Sequence, residues 1–158
     1  MKNSIKISVC IPVYGVEKYI ERCARSLFEQ TLLEDVEFIF VNDCTPDNSI
    51  NILRSILTEY PHRISQTHII EHAVNKGLSA ARNSAVEAAK GKYVYHIDSD
   101  DFIEPQTLEA LLQTAEMQNA DIVANELIWY WSDRKKTVLP KKFKNRMDFI
   151  YKLLTRKI

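Results

Sequence analysis

The feature that most constrains this chain is the alternation of short apolar runs with longer segments whose apolar residues recur at helical spacing. Strands are predicted over residues 5–11, ending at Pro12, and over 36–41, 63–70, 93–97 and 121–130. Helices are predicted over 17–30, from residue 50, over 78–89 with Gly91 at its end, and after Pro105. Strands that alternate with helices of this length form βαβ units. We therefore expect an α/β fold, a three-layer α/β/α arrangement with a mainly parallel central sheet.

The charge of the chain is balanced overall but uneven along its length. Residues 134–158 contain ten basic residues and one acidic residue, Asp148. The domain prediction is therefore a core over 1–133 and a basic segment over 134–158, with a helix from about residue 145. An acidic core argues against nucleic acid as a partner, because nucleic-acid binding needs a clustered positive face. The basic segment is compatible with a solvated surface, with an acidic partner, or with peripheral contact to an anionic membrane.

The chain of 158 residues shows the features of an ordinary globular protein in its apolar runs, its N-terminus and its cysteines. The longest apolar runs are far shorter than the roughly 20 residues that cross a bilayer. The N-terminus shows no signal-peptide pattern, so a cytoplasmic location is expected. Cys10, Cys23 and Cys44 form no C-x-x-C pair, which predicts reduced thiols. His62 and His72 have no spacing typical of metal ligands.

Short segments follow four predicted strands at the edge where parallel sheets bind ligands, and three of these segments carry acids, amides or a cation. They are Pro12 to Gly15, then Asn42 and Asp43, then Asn75 to Gly77 ahead of a helix with Arg82, and finally Asp98 to Asp101. The last group has three carboxylates in four residues, which repel one another unless a cation or protons neutralise them. Oxygen ligands of this kind suit Mg²⁺ or Mn²⁺. The alternative is a polar turn whose acids favour the N-terminus of the next helix.

The three glycines, Gly15, Gly77 and Gly91, exclude both the P-loop and the dinucleotide-binding fingerprint. A bound diphosphate would therefore be neutralised by a metal at Asp100 together with Lys76 or Arg82. Asp43 closes an apolar strand, where it could accept hydrogen bonds from a base or ribose. It could equally cap the following helix.

Four motifs together resemble the bacterial family 2 glycosyltransferases in their order and spacing. They are residues 8–14 (SVCIPVY), 41–43 (VND), 75–83 (NKGLSAARN) and 97–101 (IDSDD), and they cover about the first 105 residues. The resemblance implies a GT-A fold and the transfer of a sugar, with inversion, from a nucleotide-sugar donor to a saccharide or lipid-linked acceptor. UDP is the expected nucleotide, and Mn²⁺ or Mg²⁺ the expected cofactor.

The resemblance also assigns roles to individual residues. It implies that Pro12 and Tyr14 line the nucleotide pocket, and that Asp43 contacts the base. Arg82, on the helix after the turn at residues 75–77, would lie near the diphosphate or the base. Asp98 would face the ribose and the donor sugar. Asp100, at the family's D-x-D position, would bind the metal.

The chain departs from the family pattern in two places. Gly15 stands where asparagine is frequent, and Cys44 stands where a glycine normally follows the acid. The general base of the family is not identifiable, because no acid after Pro105 matches its motif. A module that binds nucleotide-sugar without turnover is therefore the alternative function. A phospho-accepting receiver lacks support because no acids follow the first strand, and a nucleotidyltransferase lacks its glycine-rich first loop.

Overall fold

The computed structural model describes residues 4–124, 127–130 and 135–138, the last two ranges as backbone strands. The chain forms two compact units, Met1–Gln113 and Thr114–Ile158. The predicted boundary at 133/134 and the predicted helix from residue 145 lie outside the described residues. Within the described ranges, no helix has the length and apolar character needed to cross a bilayer.

The first unit is built on a parallel sheet of four strands, as the α/β prediction requires. The strands are β1 (Ile7–Val13), β2 (Val36–Asn42), β3 (Thr67–Glu71) and β4 (Tyr93–His96), in the spatial order β3-β2-β1-β4. β1 lies in the centre, parallel to β2 along its whole length and to β4 from Ile7 to Cys10. Both central strands are buried on both faces, which explains their nearly continuous apolar sequence.

Helices cover both faces of this sheet, which confirms the three-layer prediction. They are α1 (Ile20–Phe28), α2 (Ser49–Glu59), α3 (Leu78–Ala88) and α4 (Thr107–Met117). Alternate residues of a strand point to opposite faces. The odd-numbered residues of β1 and the even-numbered residues of β2 pack against α1, α2 and the start of α4. The other face holds a smaller cluster in which Cys10, Ile39 and Val41 meet Ala81 and Ala85 of α3.

The second unit contains an antiparallel pair, β5 (Leu127–Tyr130) and β6 (Lys135–Val138). The fifth strand was predicted from residue 121, but residues 121–124 are not in a strand.

The structure corrects the prediction that Pro12 ends the first strand, because β1 continues to Val13. Backbone hydrogen bonds alternate sides along a strand: the carbonyl of Cys10 accepts from Ile97 next to β4, and that of Val13 accepts from Asp43 next to β2. Pro12 therefore faces the β4 side, where the pairing has already ended at His96. The missing N–H of proline leaves no ladder hydrogen bond unmade there.

Two further predictions were wrong in detail. Residues 63–66, predicted as strand, belong to a 3-10 helix over Pro61–Gln66, and β3 starts only at Thr67. Gly91 is not the C-cap of α3, since that position is Ala89. Glycine is needed at residue 91 for close approach, because a Cβ there would lie 2.6 Å from the backbone nitrogen of Ser8.

Candidate functional site

A cleft of about 370 Å³ opens at the carboxyl ends of the strands. It brings together Pro12 near the end of β1, Tyr14 after β1, Asp43 after β2, and Asp98 and Asp100 after β4. All five were predicted site residues. The remaining residues of its wall are Val13, Val16, Asn75, Gly77, Leu78, Ala81 and Ser99. The cleft therefore sits where parallel sheets bind ligands, and three carboxylates share it.

Asp43 is almost fully buried, at 3% exposure. Its Oδ1 accepts hydrogen bonds from the backbone N–H of Lys76 at 2.8 Å and from Nδ1 of His72 at 2.7 Å. Its Oδ2 accepts one from the backbone N–H of Gly77 at 2.7 Å. Burial alone would raise the pKa of Asp43, but the hydrogen bonds from Lys76, His72 and Gly77 outweigh it and hold the pKa below its ordinary value. The side chain is therefore a carboxylate at neutral pH.

These contacts show which helix Asp43 serves structurally. It does not cap the helix that follows it in sequence. It fixes the loop before α3, whose N-cap residue is Gly77 with a φ of 86°. A negative charge near a helix N-terminus is favourable, and the positive φ suits glycine. Asp43 thus joins the ends of β2 and β3 into one wall of the cleft.

The two basic residues predicted to face a diphosphate, Arg82 and Lys76, differ in their contacts. Arg82 of α3 donates from an Nη atom to Oδ1 of Asp98 at 2.6 Å, with both side chains partly exposed. Its Nε is buried and has no partner among the described residues. Lys76 contacts Asp43 only through its backbone, and its side chain is exposed. Neither side chain is part of the described wall of the cleft, so their roles toward a diphosphate stay predictions.

The acidic loop, Asp98 to Asp101, concentrates negative charge at the cleft. Burial and the charges of Asp100 and Asp98 raise the pKa of Asp101, although Arg22 opposes this. The carboxylate of Asp100 is exposed, and within residues 4–124 it makes no hydrogen bond or ion pair. Among the described residues, no three His, Cys, Asp or Glu side chains lie close enough together to hold a metal ion by themselves. The arrangement still fits Mg²⁺ or Mn²⁺, which keep several waters and bind through one or two carboxylates plus substrate phosphates.

Arg22 of helix α1, and Gln30 just after that helix, hold the acidic loop and the residues that follow it. An Nη atom of Arg22 donates to the carbonyl of Asp100 at 3.3 Å, and its guanidinium lies 4.3 Å from the ring centre of Phe102. Gln30 donates to the carbonyl of Glu104 at 2.8 Å and accepts from the N–H of Leu108 at 3.0 Å. The position of the carboxylates therefore depends on a helix some 75 residues earlier. This role was not predicted, because nothing in the local sequence around Arg22 or Gln30 indicates it.

The loops after β1 and β2 are linked by side-chain hydrogen bonds. Asp47 accepts from the backbone N–H of Glu17 at 2.9 Å and from the hydroxyls of Thr45 and Ser49 at 2.7 and 2.6 Å. Thr45 in turn accepts from the N–H of Gly15 at 2.8 Å. Burial would raise the pKa of Asp47, but these hydrogen bonds prevail and lower it to about 2. The loop that carries Tyr14 is thus fixed to the loop that carries Asp43.

Cys44 adopts a left-handed backbone conformation, with a φ of 55°. It is the position where the family pattern has glycine, and its thiol is exposed. The departure noted in the sequence therefore carries backbone strain next to Asp43, since left-handed φ costs a side chain with a Cβ about 1–2 kcal/mol.

Two residues next to Asp43 were not predicted: His72, which contacts Asp43, and Ser84, which contacts His72. His72 is buried and contacts Asp43 through Nδ1 and the hydroxyl of Ser84 through Nε2, the latter at 2.9 Å. Metal-ligand spacing was the wrong criterion for His72. The position of the residue directly after β3 was the signal, because strand ends converge on the cleft.

The sequence is similar to those of known glycosyltransferases. The uncharacterized glycosyltransferase EpsJ of Bacillus subtilis (strain 168) is 39% identical over 141 residues, which are 89% of this chain and 39% of EpsJ. The poly(ribitol-phosphate) beta-glucosyltransferase of Bacillus spizizenii is 38% identical over 125 residues, 78% of this chain and 19% of that protein. The chain thus spans well under half the length of these relatives.

Solved structures of a glycosyltransferase-like fold are also similar to this chain. The crystal structure of S. aureus TarS 1-349 in complex with UDP has a TM-score of 0.65 and 30% identity, covering 73% of this chain and 33% of that chain. The complex of the same protein with UDP-GlcNAc has the same TM-score and identity. The family model for glycosyl transferase family 2 matches residues 8–157. By its sequence and its fold, this chain belongs to glycosyl transferase family 2 and has the GT-A fold.

Proposed function

We propose that this chain binds a UDP-sugar for a metal-assisted, inverting glycosyltransferase that modifies a glycan or lipid-linked acceptor. The observation that carries the proposal is the shared cleft, in which Asp43 meets Asp98 and Asp100. Hexosyl and N-acetylhexosaminyl groups are the sugar classes we favour. The TarS complexes with UDP and UDP-GlcNAc support this choice.

The base is proposed to lie against Asp43, between Pro12 and Tyr14. A carboxylate oxygen can accept two hydrogen bonds in plane. Oδ1 of Asp43 already accepts two from the protein, whereas Oδ2 accepts only one. Oδ2 therefore has capacity for one donor from a ligand. Uracil offers such a donor at N3, and the half-exposed ring of Tyr14 can cover its face.

The charges of the cleft determine how a diphosphate could enter it. Arg82 is engaged by Asp98, and Asp100 adds a further negative charge, so an anionic ligand needs another cation. Asp100 would hold Mn²⁺ or Mg²⁺ there, while Asp98 faces the ribose and sugar. When bound, the metal supplies stabilisation of the charge that develops on the leaving diphosphate. Arg82 and Lys76 would add positive charge at the edge of the same site.

The remaining steps follow from the chemistry of inversion. An acceptor hydroxyl attacks the anomeric carbon, the bond from that carbon to the diphosphate oxygen breaks, and the hydroxyl proton passes to a base. The protein's part in this chain is to orient the donor and keep the leaving group in place. We also propose a cytoplasmic setting, with the basic segment 134–158 near an anionic membrane surface, supported by its charge.

The test is calorimetric titration of the full chain with UDP, with and without Mn²⁺. We expect binding that depends on the metal and that Asp100→Ala weakens by at least about tenfold, equal to about 1.4 kcal/mol. Glu87→Ala is the matched control, because Glu87 is an exposed acid near the far end of α3 from the cleft. It should bind like the wild type. Binding of UDP that is indifferent to both Mn²⁺ and Asp100→Ala would contradict the metal-assisted proposal.

A further inference from the structure

We propose that His72 and Ser84 are positioning residues that orient the Asp43 carboxylate and thereby set the base specificity of the donor site. This inference rests on the proposed function, in which Asp43 contacts the base. His72 is 8% exposed and Asp43 is 3% exposed, so the contact between them is shielded from water. A hydrogen bond in such surroundings is stronger and more costly to break than one in solvent.

The three side chains form a chain of hydrogen bonds. Nδ1 of His72 lies 2.7 Å from Oδ1 of Asp43, and Nε2 lies 2.9 Å from the hydroxyl of Ser84. Because a carboxylate only accepts, Nδ1 of His72 must carry the hydrogen. The Ser84 hydroxyl can donate to Nε2 of the neutral ring, which keeps the proton on Nδ1. Ser84 thus fixes the tautomer that Asp43 needs, as outer partners do for histidines in metal sites.

The backbone reinforces this arrangement. The N–H of His72 donates to the carbonyl of Asn42 at 2.9 Å, at the end of the pairing of β2 and β3 and directly before Asp43. The imidazole therefore starts from a fixed point beside the carboxylate, and Ser84 on α3 fixes its other end. Helix α3 is in turn held through Gly77, which donates to Oδ2 of Asp43. The orientation of the carboxylate is determined from three sides.

This arrangement determines which oxygen of the Asp43 carboxylate remains available to a ligand. With His72 and the N–H of Lys76 on Oδ1, the unfilled lone pair belongs to Oδ2. Without the His72 donor, Oδ1 also has an open acceptor position, and the carboxylate is free to rotate toward water or another base edge. Uracil carries a hydrogen at N3, whereas cytosine has an acceptor there. A fixed acceptor rejects cytosine because two acceptors would face each other without a proton.

The inference is tested by the ratio of UDP affinity to CDP affinity, measured by calorimetry on the full chain with Mn²⁺ present. General damage to the fold lowers both affinities together, but a positioning role changes their ratio. We expect His72→Ala to reduce the wild-type preference for UDP by about tenfold, since a hydrogen bond to a charged group is involved. Ser84→Ala should reduce it by a smaller factor, about two- to threefold.

His72→Asn is the rescue variant, because its amide nitrogen can donate from close to the position of Nδ1. It should keep the UDP preference within about threefold of the wild type, because the amide N–H donates to the carboxylate in place of the ring N–H. His62→Ala, at an exposed position of the 3-10 helix, is the matched control and should leave the ratio unchanged.

The outcomes separate this inference from the function it rests on. If the wild type prefers UDP and Asp43→Ala abolishes that preference, the base contact stands. A wild-type ratio in His72→Ala would then overturn the positioning role, and so would an Asn variant that behaves like the Ala variant. If the wild type shows no preference between UDP and CDP, the base contact of the proposed function has failed, and the positioning role falls with it.

Discussion

Arg63 offers the sharpest test of how the first unit is held together. Among the described residues it is the largest side chain that is completely buried, and none of their carboxylates pairs with it. Its guanidinium donates instead to the carbonyls of Phe28 at 3.1 Å and Gln30 at 2.8 Å, both in buried contacts. Further hydrogen bonds, in partly buried contacts, go to the carbonyls of Leu32 and Leu33 and to the side chain of Gln66. Burial lowers the pKa of Arg63, but arginine stays charged in proteins.

The change to make is Arg63→Met, which keeps the length of the side chain and removes every donor. The carbonyls of Phe28 and Gln30 then remain buried without a partner, at about 1–3 kcal/mol each. The three partly buried acceptors can turn to water at little cost. Removing a buried charge offsets part of the loss. We therefore expect the free energy of unfolding to fall by about 2–4 kcal/mol, and Arg63→Lys to lie between Met and the wild type because it keeps a charge but loses the planar fork.

The assay is urea unfolding followed by circular dichroism. With a slope of about 2 kcal/mol per molar urea, the midpoint for Arg63→Met should drop by about 1–2 M. Arg54→Met is the matched control: it removes the same charge from an exposed position of α2, where Arg54 pairs with Glu71. That surface pair contributes at most about 1 kcal/mol. If Arg63→Met and Arg54→Met shift the midpoint equally, the buried carbonyls do not depend on Arg63 and the reasoning is wrong.

Two further predictions concern the loop after β2. Cys44→Gly should raise the unfolding free energy by about 0.5 kcal/mol, since relief of the left-handed φ exceeds the added chain entropy of glycine; Cys44→Ala, which keeps the strain, should give no gain in the same urea assay, and equal effects would refute the strain. Asp47 has a folded pKa of about 2, below the ordinary 3.8, so it contributes stability that is present above about pH 4 and is lost as the pH falls toward 2. Unfolding free energies measured across this range should fall less steeply for Asp47→Asn, and an unchanged slope would contradict the contribution of Asp47.

Most residues of the candidate cleft could be predicted from the sequence, because their positions at strand ends can be recognised from the local apolar pattern. Pro12 lies at the end of β1, and Tyr14, Asp43, Asp98 and Asp100 follow strand ends. Parallel strands bring such ends to one edge of the sheet, whatever the loops between them do. Side-chain partners could not be predicted in the same way. The contact of Asp43 with His72 spans 29 residues, and that of Arg22 with Asp100 spans 78. No periodicity encodes such distances.

The fold shows the same difference between features that local sequence predicts and features that depend on contacts in space. Hydrophobic periodicity determined the α/β class, the order of the elements and the parallel sheet, since apolar spacing reflects which face of each element is buried. Only the tertiary structure decided that Pro12 lies within β1, that residues 63–66 form a 3-10 helix around a buried arginine, and that Gly91 packs on Ser8. Each of these depends on what lies beside the residue in space. A proline is tolerated where the neighbouring strand has ended, an arginine where carbonyls surround it, and a glycine where another backbone leaves no room for a Cβ.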